Sequence, residues 1–309
     1  MSMYDSIILG AGPAGITASI YAARKKMNFL VLTENIGGQT LWSADVENYT
    51  GYQMLTGPEL TERFKDHLDN YDINVIEGVK AEKVEKKRNV FEVTIKSGEV
   101  YKAKTVIVAT GRIPRRLGIK GEGKYVGKGL AYCATCDAPL YADAEVAVVG
   151  GGNSALDATL QLVKIAKKIH LIDRAPSLIA DDLMVEKALQ SGKVTVYNNA
   201  QVKEIQGDQF VSGIVIDADG KEKKIPVEGI FVEIGSIPAS QMVPDVKKEK
   251  NGEVFVDCSC RTSVSGIYGA GDVTTVIAKQ IIVACGEGAK AALSVFDYIN
   301  THKDSDFEE

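Results

Sequence analysis

Ser6-Ile7-Ile8-Leu9-Gly10-Ala11-Gly12-Pro13-Ala14-Gly15 decides how this chain folds: a short apolar strand runs into three glycines at the spacing of a strand-to-helix turn. A helical stretch from Ile16 to Lys26 and a second strand from Asn28 to Leu32 follow, so the chain opens as a βαβ unit. Gly10 permits the tight turn, Gly12 lets the backbone approach a pyrophosphate, and Gly15 lets helix and strand pack closely. Pro13 belongs to the same phosphate loop, whose helix amides face the phosphates. Glu34 lies 19 residues after Gly15, where an acidic side chain accepts from a ribose hydroxyl, with Thr33 as the alternative register.

The same grammar recurs. Val146-Ala147-Val148-Val149 enters Gly150-Gly151-Gly152-Asn153-Ser154-Ala155, followed by a helix to about Ala166 and a strand Ile169 to Ile172. Each opening is followed by a hairpin signal, the first turning at Ser97-Gly98 and the second at Asp219-Gly220. Each copy then closes on a strand and a Gly-x-Ile-Pro motif, Gly111 to Pro114 and Gly235 to Pro238. The tail carries a further strand and glycine turn, Gly266 to Asp272, and a helix from Ile281 to about Ile299, too little for a third domain. The expected fold class is therefore α/β, with two Rossmann-like dinucleotide-binding domains, the second inserted into the first. The expected boundaries are 1–114, 115–245 and 246–309.

Two dinucleotide sites in one chain imply a tightly held flavin dinucleotide and an exchangeable nicotinamide dinucleotide. Gly271-Asp272, a glycine turn returning to the first domain, supports FAD there, with Asp272 at a ribityl or phosphate-side hydroxyl; the alternative is a plain turn aspartate. In the second loop Ala155 takes the third glycine's place, and Asp173 stands 18 residues beyond it. A carboxylate there accepts from the 2′-hydroxyl of NADH and repels the 2′-phosphate of NADPH by ~1 to 4 kcal/mol per charge pair. The alternative is that Asp173 caps a loop while Arg174 receives the phosphate.

Composition narrows the partners. With 309 residues, 45% hydrophobic and 25% charged, the chain can bury two cores. Its net charge of −5 forms no basic stripe, which argues against nucleic acid as a partner. No apolar run reaches the roughly 18 to 20 residues of a membrane span, and no signal-peptide core precedes the first strand, so a cytoplasmic protein without a membrane partner is expected. Five cysteines suit reduced thiols with one special pair.

That pair is Cys133 and Cys136, in Tyr132-Cys133-Ala134-Thr135-Cys136-Asp137. The spacing closes two sulfurs into a small ring on a helix's first turn, where the dipole lowers a thiol's pKa. Asp137 either serves as general acid-base or caps the helix. Zinc needs four ligands, and Cys258 and Cys260, on one face of an apparent strand, are remote in sequence; Cys285 lies in an apolar segment. These three read as packed or idle thiols, no metal is expected, and His67, His170 and His302 form no ligand or triad spacing. The dithiol lies only 14 residues before Gly150, on the nicotinamide domain, so donor and dithiol must take turns at one flavin. Rotation about connections near Ile113 to Arg116 and Pro244 to Lys248 is expected.

With these residues in hand, the whole chain resembles the low-molecular-weight thioredoxin reductases, and also the flavoprotein subunit of alkyl hydroperoxide reductase without its amino-terminal thioredoxin-like extension. The likeness rests on Gly10 to Gly15, Gly37-Gly38-Gln39 with Glu47-Asn48-Tyr49, Ala109-Thr110-Gly111, Cys133 to Asp137, Gly150 to Ala155, and Gly271-Asp272 with Lys279-Gln280. It implies FAD contacts from these first-domain segments and Ile281, a homodimer, and alternation between two domain orientations. It also implies that Cys136 faces the flavin, Cys133 attacks the partner's disulfide and Asp137 is the acid-base residue. The family's basic NADPH cluster is here Asp173-Arg174-Ala175 with Ile179, which favours NADH, and Ala138 replaces a glycine beside the dithiol. The implied acceptor is a separate thioredoxin or thioredoxin/glutaredoxin-like protein. The alternatives are a reductase feeding a peroxiredoxin/alkyl hydroperoxide system, or a ferredoxin/flavodoxin-NAD(P) reductase, which has no use for the dithiol.

Overall fold

The computed structural model describes residues 3–42, 46, 48–132 and 134–302. The chain forms two compact units, one from residues 1–113 and 237–309 and the other from Pro114–Ser236.

The first unit begins with β1 (Tyr4–Ala11), α1 (Pro13–Arg24) and β2 (Phe29–Ile36), continues through α2 (Gly57–Asp69) and β3 (Asn74–Glu77), and then forms β4 (Ala81–Lys87), β5 (Val90–Ile95) and β6 (Val100–Val108). The sheet order is β3-β2-β1-β6-β5-β4. β3, β2, β1 and β6 run parallel, whereas β4 and β5 form an antiparallel hairpin on the first half of β6. Ile7, Ile8 and Leu9 are buried on both faces of β1, which is why the strand reads as a continuous apolar run. A capping box starts α2: Thr56 accepts from the Glu59 amide while Glu59 accepts from the Thr56 amide.

The chain leaves through β7 (Arg112–Pro114) and builds the second unit from α3 (Glu122–Tyr125), β8 (Leu130–Ala131), α4 (Ala134–Asp137), β9 (Glu145–Val149), α5 (Asn153–Val163), β10 (Lys168–Ile172), α6 (Asp182–Gln190) and β11 (Val194–Tyr197). An antiparallel sheet of β12 (Ala200–Gly207), β13 (Val211–Ala218) and β14 (Lys221–Ile225) precedes β15 (Gly229–Val232). The main sheet is parallel, ordered β11-β10-β9-β15-β8, so β8 feeds the dithiol segment from a sheet edge. The Asp219-Gly220 turn has both residues at positive φ, +52° and +76°, as a two-residue hairpin demands.

Return is through β16 (Ser236–Pro238), which pairs with β7, so the two Gly-x-Ile-Pro motifs form one two-stranded ribbon. The crossing falls at Ser236–Ile237, earlier than the expected 245/246, because Met242, Val243 and Val246 pack into the first unit's core. The tail adds β17 (Ile267–Gly269), parallel to the second half of β6, and α7 (Ile281–Thr301). The expected strand through Cys258 and Cys260 is instead a turn: Asp257 Oδ1 accepts from the amides of Ser259 and Arg261. Cys258 is exposed and Cys260 buried at φ +63°, so they share no face.

α1 and α7 cover one face of the first sheet, with Ile16, Ile20, Ala291 and Val295 in that core. Their approach is set by Gly288, where a Cβ would stand 2.0 Å from the Ala14 carbonyl oxygen. Because that neighbour is backbone and cannot rotate away, Gly288→Ala should cost about 1–3 kcal/mol by overpacking. A urea midpoint equal to that of the parent protein would show the contact to be soft.

Candidate functional site

At the first loop each glycine does a different job. Gly10, at φ +95°, would place a Cβ 2.6 Å from the Ala109 carbonyl oxygen, and Gly15 would place one 1.8 Å from the Gly10 oxygen. A Cβ on Gly12 would meet nothing within 4 Å. Gly12 is also the N-cap of α1 and offers no side-chain cap, so the first amides of that helix face the open side.

A cleft of the first unit gathers the expected residues. Its wall includes Gly10, Gly12, Pro13 and Glu34 from the opening βαβ unit, Gly38 and Gln39 from the following turn, and Ala109, Thr110 and Gly111 from the end of β6. The tail supplies Gly271, Asp272, Lys279, Gln280 and Ile281. Gly15 does not line the cleft and instead packs against the Gly10 carbonyl oxygen. Asn48 is tied to the wall by donating from Nδ2 to Gln280 Oε1 at 3.0 Å. Thr33 also borders the cleft, but its hydroxyl accepts from the Ala11 amide and donates to Asn35 O, which leaves Glu34 as the exposed carboxylate at the end of β2.

Four contributors were not among the expected site residues. Thr40 lines the cleft, is buried, and its hydroxyl has no partner. Arg112 and Lys279 meet at Glu253, whose Oε1 is 2.8 Å from Arg112 Nη1 and 3.0 Å from Lys279 Nζ. Glu287, buried in α7, accepts from the Gly271 amide at 3.1 Å and fixes the turn carrying Asp272. Burial raises the Asp272 carboxyl, against the opposing charges of Lys279 and Arg112. Arg112 belongs to a visible motif and Thr40 directly follows Gly37-Gly38-Gln39; Glu253 and Glu287 have no local signal, since only the fold brings them in.

The second unit repeats the arrangement. Gly150, at φ +134°, packs against the Glu233 carbonyl oxygen, where a Cβ would come within 2.2 Å, while a Cβ on Gly152 would face open space. Gly152 caps α5, whose first residues are Asn153 and Ser154, without a side-chain bond. Asn153 Oδ1 instead accepts from the Asp181 amide at 2.9 Å, holding the loop after β10. The Asp173 carboxylate lies over Gly151, where a Cβ would be 2.0 Å from Oδ2, so the glycine is what admits the acid to the loop. Arg174 beside it is exposed.

Of the dithiol, Cys133 lies outside the described residues and Cys136 falls on α4. Glu47 of the resemblance also lies outside them. Asp137 ends α4; it makes no side-chain cap to the turn that follows, and burial raises its carboxyl. At the other end of α4, Glu233 accepts from the Ala134 amide; burial and the charge of Asp157 push its carboxyl up to about 7. Cys258, Cys260 and Cys285 are free thiols, and burial pushes Cys260 up to about 12 and raises Cys285. Among the described residues, no cluster of His, Cys, Asp or Glu is placed to hold a metal, and no helix is long and apolar enough to cross a membrane.

The open side of Gly12, the unpartnered Thr40 hydroxyl and the uncapped start of α1 fit the pyrophosphate and polar edge of a flavin dinucleotide. Two such loops and their parallel sheets define the class: proteins with two Rossmann-like dinucleotide-binding domains. The chain belongs to the pyridine nucleotide-disulphide oxidoreductase family, which it matches over residues 4–288.

Its fold is similar to the thioredoxin reductase of Lactococcus lactis in its FR conformation, with TM-score 0.86 and 30% identity over 97% of this chain and 100% of that one. The T. acidophilum thioredoxin reductase is similar with TM-score 0.84 and 37% identity, over 97% of this chain and 99% of that one. Among curated proteins, 299 residues are 40% identical to a Bacillus subtilis NADH dehydrogenase and, equally, to an alkyl hydroperoxide reductase subunit of Staphylococcus aureus. The match takes 96% of this chain but only 58% and 59% of those two relatives.

Gly12 has φ −76°, open to any residue, so Gly12→Val should leave the fold within about 0.5 kcal/mol of the parent. It should also weaken FAD binding about tenfold or more, measured by flavin-fluorescence titration of the apoprotein. Unchanged affinity would remove the loop from the binding site.

Proposed function

We propose that the protein is an NADH-dependent reductase that passes electrons through FAD and the Cys133/Cys136 dithiol to the disulfide of a thioredoxin or thioredoxin/glutaredoxin-like protein, as a cytoplasmic homodimer. The observation that carries this reading is the joint placement, in one compact unit, of α4, which carries Cys136, and of a second dinucleotide loop with Asp173 over Gly151.

FAD, when bound, supplies a two-electron carrier between a hydride donor and a disulfide. The chain's part is to hold and to move protons. The start of α1 and Gly12 take the pyrophosphate, Glu34 the ribose, and Asp272, Gln39, Asn48 and Gln280 the flavin half. On the second unit, the start of α5 and Gly152 take the nicotinamide pyrophosphate. Asp173 accepts from the ribose 2′-hydroxyl and repels a 2′-phosphate. By resemblance Cys133 attacks the partner's disulfide while Cys136 faces the flavin.

The overall reaction, NADH plus H⁺ plus a disulfide giving NAD⁺ and two thiols, needs a proton at a leaving sulfur. By resemblance Asp137 is the residue that supplies it, and burial raises its carboxyl, which favours the protonated form relative to an exposed aspartate. A second reading, electron delivery to a peroxide-reducing system through a separate disulfide carrier, is supported by the 40% identity to the hydroperoxide reductase relative.

Anaerobic turnover with several thioredoxin-like acceptors tests both. NADH should exceed NADPH in kcat/KM by about one to three decades, as expected for the repulsion at Asp173, and Asp173→Ala should narrow the gap; faster turnover with NADPH would sink the donor assignment. Asp137→Asn should slow disulfide reduction about 10²- to 10⁴-fold, the usual weight of general acid catalysis. Full activity in Cys136→Ser would eliminate the dithiol route altogether.

A further inference from the structure

Glu253 does not line the cleft, yet two groups that do, Arg112 and Lys279, converge on it. One carboxylate oxygen serves both cations at 2.8 and 3.0 Å, and the three side chains are 15% to 26% exposed, so solvent screens the cluster weakly. Lys279 also donates to the Thr274 carbonyl at 2.5 Å, and Gln39 donates to the Arg112 carbonyl at 2.7 Å. Burial pushes the Glu253 carboxyl up, but hydrogen bonds from Lys279, Asn251 and Arg112 outweigh it and hold it below the usual range. It is therefore ionised at neutral pH. With Asp272, which faces the same two cations, the cluster sets two acidic groups against two basic ones.

The cluster borders the flavin half of the cleft. Glu34 marks the ribose end at the tip of β2, the Gly10 to Gly15 loop marks the pyrophosphate, and Arg112, Asp272 and Lys279 line what remains together with Gln39. With FAD bound, two-electron reduction by NADH, NADH plus FAD giving NAD⁺ plus FADH⁻, would add one negative charge beside this wall. An uncompensated positive charge in the wall would favour that reduced form.

Resting on the flavin reading above, we propose that Glu253 is a positioning residue that sets the flavin's reduction potential: by holding and neutralising Lys279 and Arg112, it keeps the bound flavin a strong enough reductant to pass its electrons on to a disulfide. The chemistry it tunes is that of any hydride-reduced flavin in this cleft.

The test is an anaerobic titration of the purified FAD-loaded protein, following flavin absorbance against a reference dye. Glu253→Gln, which keeps the shape and removes the charge, should raise the reduced-to-oxidised flavin ratio at fixed dye poise by about tenfold, equivalent to ~30 mV for a two-electron couple. Lys279→Met should shift the ratio the opposite way, and the double variant should return to within about threefold of the parent. An upward shift below about threefold in Glu253→Gln, any downward shift, or a double variant that fails to return would overturn the proposal. If Glu253→Gln does not retain FAD, Lys279→Met decides alone, and an unshifted ratio there is fatal. A parent protein that binds no FAD, or is not bleached by NADH, would instead refute the flavin reading itself.

Discussion

Two carbonyl oxygens stand where side chains would otherwise be. The Ala109 oxygen occupies the Cβ side of Gly10, and the Glu233 oxygen occupies the Cβ side of Gly150. In each unit the end of the closing strand is thereby pressed against the turn that leaves the opening strand, and a helix starts with its amides uncapped. In each unit the candidate binding residues gather around that contact. The first unit adds a polar wall from the returning tail, and the second adds an acid over the loop and a dithiol segment fed by the edge strand β8.

The two units meet different electrostatic demands with the same scaffold. In the first, charges are gathered and balanced: Asp272, Glu253, Lys279 and Arg112 lie within one network, and Glu287 holds the turn beneath it. In the second, acids gather near α4 instead. Asp137 at one end and Glu233 at the other are both raised by burial, and Asp157 adds to the effect at Glu233. The short helix α4 is thus flanked by two carboxyls that burial makes less acidic than exposed ones.

Much of this was legible in the chain itself, for identifiable reasons. Parallel strands buried on both faces read as apolar runs, and glycine positions in the loops are fixed by close backbone approach, so Ile7 to Gly15 and Val146 to Ala155 announce their structure locally. Hairpin turns such as Asp219-Gly220 are equally local. What failed depended on context. Cys258 and Cys260 alternate like strand residues, but Asp257 captures two amides and forces a turn. Residues 237–246 look like a continuation of the inserted copy, and only packing of Met242 and Val243 into the other core assigns them elsewhere. Glu253 sits in a stretch without any motif, and no spacing rule connects it to a cleft built from segments more than two hundred residues apart.

The ribbon of β7 and β16 has a consequence for how such a chain can be assembled. Pro114 and Ser236, the ends of the second unit, are carried on paired strands. To the outer unit, the whole insert is topologically a hairpin loop, and because the insert's own fold holds its two ends together, it imposes little of the closure entropy that a flexible loop of that length would. The outer unit experiences a short turn; its continuity does not depend on how many residues the turn contains. A module bounded in this way can be exchanged, lengthened or excised across a single pair of adjacent strands while the sheet on either side keeps its register.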